Sequence, residues 1–117
     1  MPSSPRGFLS WAIYTLDAQG RPFSPSYEYT GQTDPRMRYS REDALTIKIA
    51  AERASHKISG NGIGYALLLR FYVAESSWFS FSKREQAILR KTAREFSRRL
   101  ISAGFIEGKD AGRGEIV

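Results

Sequence analysis

The stretch SKREQAILRKTAREFSRRLISAG, residues 82–104, decides the fold. Ser82 and Glu85 have the spacing of a capping box: the serine side chain accepts from the backbone three residues on, and the carboxylate reaches back to the backbone of the serine. Beyond it, Leu89, Ala93, Phe96, Leu100 and Ala103 recur at i, i+4, i+7, i+11 and i+14, which puts them on one side of a helix. Gly104 stands where a C′ glycine would stop it. The spacing predicts about five turns of amphipathic helix.

Upstream lies WFSF, with Trp78, Phe79 and Phe81 just ahead of the cap. Before it, YALLLRFYVAE (65–75) is almost wholly apolar with Arg70 its lone interior charge, and reads as the central, most buried helix. It is separated by Gly60-Asn61-Gly62 from a helix over 41–57, which Ser40 caps and which carries Glu42 and Asp43 in its first turn, as the helix dipole favours. Ala44, Leu45, Ile47, Ile49, Ala50 and Ala54 supply its apolar residues. Further toward the N-terminus, DAQGRP, SPS and TGQTDP place turn formers every few residues, so 17–39 reads as one long loop. A short helix is expected over 8–16, a loose arm over 1–7 and a disordered tail over 109–117. The expected architecture is all-α: one domain over 8–108, of three or four helices, with a helix-turn-helix-like C-terminal half and a long N-terminal loop.

The composition permits a core, with 41% hydrophobic residues in 117. No cysteine is present, which removes disulfides, thiolate metal sites and a cysteine nucleophile. No apolar run approaches membrane-spanning length, the longest being 65–69, and the first twenty residues lack the pattern of a cleaved signal. A soluble, cytoplasmic protein is the expectation. The formal net charge is +6, the kind of excess that binds phosphate backbones, although it also serves solubility alone.

The distribution of that charge is more informative than its sum. Wound at about 100° per residue, the last helix places Lys83, Arg84, Arg90, Lys91, Arg94 and Arg98 opposite the Leu89/Phe96 stripe. Arg99, next in sequence, completes the candidate nucleic-acid-binding set. Like charges at i,i+4 on a helix destabilise it by a few tenths of a kcal/mol each. An anionic partner would offset that cost; the alternatives are a solvated face and an acidic protein surface. Trp78, Phe79 and Phe81 are candidates for a protein partner, with core packing the competing reading. Tyr27 and Tyr29 join them as candidate partner contacts, and with Tyr39 they stand near Arg36, Arg38 and Arg41, where stacking on unpaired bases competes with simple packing.

Enzymatic constellations are thin. His56 is the single histidine, beside Lys57 at a helix end, a place for a surface residue more than for a general base. Metal-ligand spacings are absent, and no cofactor motif is found. GNGIG (60–64) follows a helix instead of a strand and lacks the Lys-Ser/Thr of a phosphate loop, so it reads as a turn. No enzymatic activity, metal or cofactor is expected.

SWA near the start, EDALTIKIAAERA, ALLLRFYV and the run to RRLISAGFIEG together resemble the smaller lambdoid phage late-gene antitermination proteins, the protein Q family. The likeness spans 39–108. It implies a protein of the host bacterial cytoplasm that binds duplex DNA near a promoter, engages RNA polymerase and its elongation factors, and makes the polymerase read through terminators. It also implies that 65–75 matches the helix before a helix-turn-helix-like region, and that Lys83, Arg84, Arg90, Lys91, Arg94 and Arg98 fall among the DNA contacts. REQAILRK (84–91) departs from the family pattern, reading as unbroken helix where a turn between two short helices is expected. A minor-groove, RNA or protein-facing role therefore stays open beside a recognition helix. A phage-encoded inhibitor of a host nucleic-acid enzyme or defence complex is the alternative function.

Overall fold

The computed structural model describes residues 4–15 and 41–106, and every regular element in them is helical. In chain order these are α1 (Pro5–Thr15), α2 (Arg41–Ser59), α3 (Ile63–Leu68) and α4 (Lys83–Ser102). α3 runs on into one wider π turn, Leu69–Val73, and a 3-10 turn, Trp78–Ser80, precedes α4. The expected all-α domain is present, its C-terminal half consisting of α3, the 74–82 connection and α4. The predicted 17–39 loop with Tyr27, Tyr29 and Tyr39, and the 109–117 tail, lie outside the described residues.

α1 begins at Pro5, three residues before the expected start, so Pro5, Arg6 and Gly7 of the expected arm are helical. Ser4 caps it: Gly7 N donates to Ser4 Oγ (3.2 Å) and Phe8 N to the Ser4 carbonyl (2.9 Å). Pro5 then occupies the first helical position, where its missing N–H costs nothing. The Arg6 guanidinium lies over the rings of Phe71 (4.6 Å) and Tyr72 (5.3 Å), and Ser10 Oγ donates to the Tyr72 carbonyl (3.1 Å). These contacts fix α1 on the π turn, while Phe8, Leu9 and Ala12 enter the core.

The hub is α2, which packs against α1, α3 and α4, and not the 65–75 helix. Its inward residues are mostly small (Ala44, Ile47, Ala51, Ala54 and Ser55), and small side chains let neighbouring backbones close in on several sides. α3 and its π continuation bury Gly64, Leu67, Leu68, Phe71 and Tyr72 while Ala66, Arg70 and Ala74 remain exposed. The apolar run is thus an ordinary one-sided stripe, widened by half-buried Tyr65, Leu69 and Val73. α2 and α3 are joined by the turn expected at 60–62. Gly60 takes φ +76°, Ser55 Oγ donates to the Asn61 carbonyl (2.6 Å), and Ile63 N donates to Asn61 Oδ1 (2.9 Å).

α4 begins with the full capping box: Glu85 N donates to Ser82 Oγ (3.1 Å) and Ser82 N to Glu85 Oε1 (2.9 Å). It ends at Gly104 (φ +84°) in a Schellman arrangement, with Gly104 N donating to the Ile101 carbonyl and Phe105 N to the Leu100 carbonyl, both at 3.0 Å. Leu89, Ala93, Phe96 and Leu100 are buried as predicted; Ala103 is exposed, and Ile106, after the turn, is the next residue to enter the core.

The π turn ends without glycine. Ala74 N donates to the Leu69 carbonyl and Ser76 N to the Arg70 carbonyl (both 2.9 Å), and Glu75 takes φ +56°. A non-glycine residue there costs about 1–2 kcal/mol, part of which glycine would return as extra freedom in the unfolded chain. Glu75→Gly is therefore expected to stabilise the domain by roughly 0.5 kcal/mol in urea denaturation, from the difference of those two effects. A loss of stability would mean that the Glu75 side chain makes a contact outweighing its backbone strain.

Candidate nucleic-acid interface

α4 sorts its side chains by charge. Leu89, Thr92, Ala93, Phe96 and Leu100 face inward, whereas the exposed arc holds Lys83, Arg84, Ala87, Arg90, Lys91, Arg94 and Arg98. Every charged residue on that arc is a cation. From Lys83 to Arg98 the strip is about 22 Å long at 1.5 Å per residue. Lys83, Arg84, Lys91 and Arg94 meet no carboxylate among the described residues.

The two carboxylates of the helix are turned away from this arc. Glu85 is held by the capping box, and its second oxygen lies 3.6 Å from Arg70 Nη1. Glu95 is 5% exposed and collects three cations: Arg98 Nη1 at 2.8 Å, Arg99 Nε at 3.1 Å and Lys57 Nζ at 3.5 Å. A buried carboxylate is tolerated when its oxygens are satisfied in this way. Arg99, one of the candidate contacts, thus belongs to the flank and to Glu95 more than to the outer strip. Arg98 straddles the two, with its side chain still mostly exposed. Lys57 was missed by sequence reasoning, because its arrival beside α4 depends on how α2 packs. The Glu95–Arg98 and Glu95–Arg99 pairs at i,i+3 and i,i+4 were legible from spacing.

The three aromatics of WFSF take three different environments. Phe81 is 4% exposed, edge-on to Phe71 (6.1 Å between centroids) and capped by the Arg70 guanidinium (4.4 Å). It is core, and the partner-contact expectation for it is withdrawn: its ring has no face left for another molecule. Trp78 is half-buried, edge-on to Phe71 (5.9 Å) and beneath the Arg90 guanidinium (5.0 Å). Phe79 is 88% exposed. Of the proposed aromatic contacts that the structure describes, Phe79 alone is presented fully to a partner.

A second feature, unmarked in the sequence, is a cleft of about 410 Å³ between α2 and α3, lined by Ile49, Glu52, Arg53, His56, Gly62 and Tyr65. Burial pushes the Tyr65 phenol up to about 12, and the charge of Glu52 adds to it, so Tyr65 is a hydrogen-bond donor at neutral pH. His56 is exposed on its rim, as its place at a helix end suggested. Among the described residues no three acidic or histidine side chains come together as a metal site, and no helix is long and apolar enough to cross a membrane. Comparison with protein-family models, curated proteins and solved structures returns no match for this chain.

Proposed function

We propose that this protein binds duplex DNA through the outer face of α4 and acts there as a transcription regulator of the antiterminator type. The observation that carries the DNA part is the segregation of charge on α4. Six cations occupy one exposed face, while Glu85 is spent on the cap and Glu95 is drawn inward by Lys57, Arg98 and Arg99. Mutual repulsion on such a face is relieved by a polyanion, and cations that displace condensed counterions make the binding strongly salt-dependent. The antiterminator part rests on the sequence resemblance over 39–108. The alternative, an inhibitor of a host nucleic-acid enzyme or defence complex, would need a protein anchor, for which the exposed ring of Phe79 is the one described candidate.

The test is binding of a fluorescent 30-base-pair duplex at several salt concentrations, comparing wild type with Lys91→Glu/Arg94→Glu. Both residues are exposed on the outer strip, so melting should be unchanged to within about 0.5 kcal/mol. Removing two phosphate contacts should reduce the slope of log K against log salt by about 1.8 and weaken binding at least roughly tenfold. Equal binding by the double variant would remove α4 as the contact surface. Single-round transcription across an intrinsic terminator, from a template with the native upstream promoter, then separates the two functions. Increased readthrough that depends on the upstream DNA supports antitermination; capture of a host complex without DNA supports inhibition.

A further inference from the structure

Phe79 is the most exposed large hydrophobic side chain among the described residues, and it is not one of those packed on the described core. It is nonetheless held firmly. Phe79 N donates to Ser77 Oγ (3.3 Å), Ser80 Oγ donates to the Ser77 carbonyl (2.7 Å), and Gln86 Nε2 donates to the Trp78 carbonyl (3.1 Å). Trp78 and Phe81 on either side are packed inward. Gln86 and Arg90, one turn apart on α4, both reach Trp78, which lays the 3-10 turn alongside the first two turns of the basic helix. An aromatic ring on a firmly held backbone is thus presented to solvent next to the start of the cationic strip.

We propose that Phe79 stacks on an unpaired base of DNA whose backbone lies along α4; the proposal rests on the DNA-binding reading above. The surroundings favour a base over a protein groove. A protein anchor works within an apolar patch that excludes water around it. Among the described residues, Phe79 is flanked in sequence by exposed Ser77, Ser80 and Ser82, followed by Lys83 and Arg84, and the other exposed large hydrophobics, Tyr14, Ile49 and Ile63, belong to α1, α2 and α3. A nucleobase needs only one ring face, with cations within reach of the flanking phosphates. Hydroxyls and lysines suit those phosphates as well.

The experiment uses the full chain with two 30-base-pair duplexes, one fully paired and one carrying a single bulged 2-aminopurine. Wild type is expected to prefer the bulged duplex by about fivefold to a hundredfold, the range that stacking one base supplies, and to quench the 2-aminopurine on binding. Phe79→Ala should keep its melting temperature and its affinity for the paired duplex while losing both the preference and the quenching. Phe79→Trp should keep them. Lys91→Glu/Arg94→Glu should weaken both duplexes alike and leave their ratio intact. Binding that this double variant weakens, but that shows no bulge preference in wild type, overturns the stacking proposal and leaves the phosphate-binding face standing. Loss of RNA polymerase co-purification by Phe79→Ala, with both DNA affinities unchanged, overturns it in favour of a protein anchor. Failure of wild type to bind either duplex overturns both readings.

Discussion

Phe81→Ala is expected to destabilise the domain by about 3–5 kcal/mol, the usual cost of removing a fully buried phenylalanine ring. In a domain of this size that corresponds to a melting temperature at least about 12 °C lower. The ring packs on Phe71 just ahead of α4, and two contacts are made directly to it. Phe71 loses an edge-on neighbour at 6.1 Å, the Arg70 guanidinium loses the face it covers at 4.4 Å, and Arg70 is also the residue placed 3.6 Å from Glu85 of the capping box. The 3-10 turn is anchored at one end by Phe81 and at the other by Trp78, so its release should also slacken the presentation of Phe79. Chemical denaturation with an unchanged m-value measures the loss. A change below about 1 kcal/mol, within the range of ordinary surface substitutions, would mean that the ring is not docked as described.

The environments of Trp78, Phe79 and Phe81 show where sequence reasoning stops. In a 3-10 turn, residues at i and i+3 eclipse one another, so Trp78 and Phe81 face the core together and Phe79 points away. The cue for such a turn was Ser77, whose side chain caps it, but a four-residue segment holds too little periodicity to separate this geometry from a strand or a loop. Longer elements were read from local chemistry alone. The Ser82/Glu85 box, the Leu89–Leu100 stripe and the Gly104 stop are all local rules and all are present. The Ser4-Pro5 start of α1 is equally local, a cap followed by the favoured first-turn proline, but it lies in a segment whose two prolines, two serines and glycine read as a loose arm. What could not be read was which helix lies at the centre. Continuous hydrophobicity pointed to 65–75, whereas centrality went to α2, whose alanines let three helices approach. The same limit applies to the candidate interface. The cationic strip follows from helix periodicity, but the inward turn of Glu95 toward Lys57 depends on the α2–α4 packing, which no single helix encodes.

That packing is exposed to its sharpest test at Gly64, near the start of α3. A Cβ there would stand 2.6 Å from Thr92 Oγ1, 3.1 Å from Thr92 Cγ2 and 3.0 Å from Ser55 Oγ. Thr92 is fully buried and branched at Cβ, so rotating it exchanges one clashing branch for another. Ser55 is also fully buried, and its hydroxyl holds the Asn61 carbonyl at 2.6 Å, so moving it loosens the α2–α3 turn. Gly64→Ala therefore forces α3 away from α2 and α4. Overpacking of this kind costs about 1–3 kcal/mol, and loss of the Ser55 bond about 1 more. The better helix propensity of alanine returns up to about 1 kcal/mol. The expected net loss of about 2 kcal/mol lowers the melting temperature by roughly 8–16 °C. Thr92→Ala removes both branches from the contact, together with a hydroxyl that has no partner among the described residues. Gly64→Ala/Thr92→Ala should then be more stable than the sum of the single changes by at least about 1 kcal/mol, a coupling typical of residues in contact. The Lys57–Glu95 pair joins the same α2 to the same α4, so Gly64→Ala alone should also disturb the flank of the basic face and weaken duplex binding, and the second substitution should restore it. Wild-type stability in Gly64→Ala, or strict additivity in the double variant, would show that α3 does not approach α4 this closely.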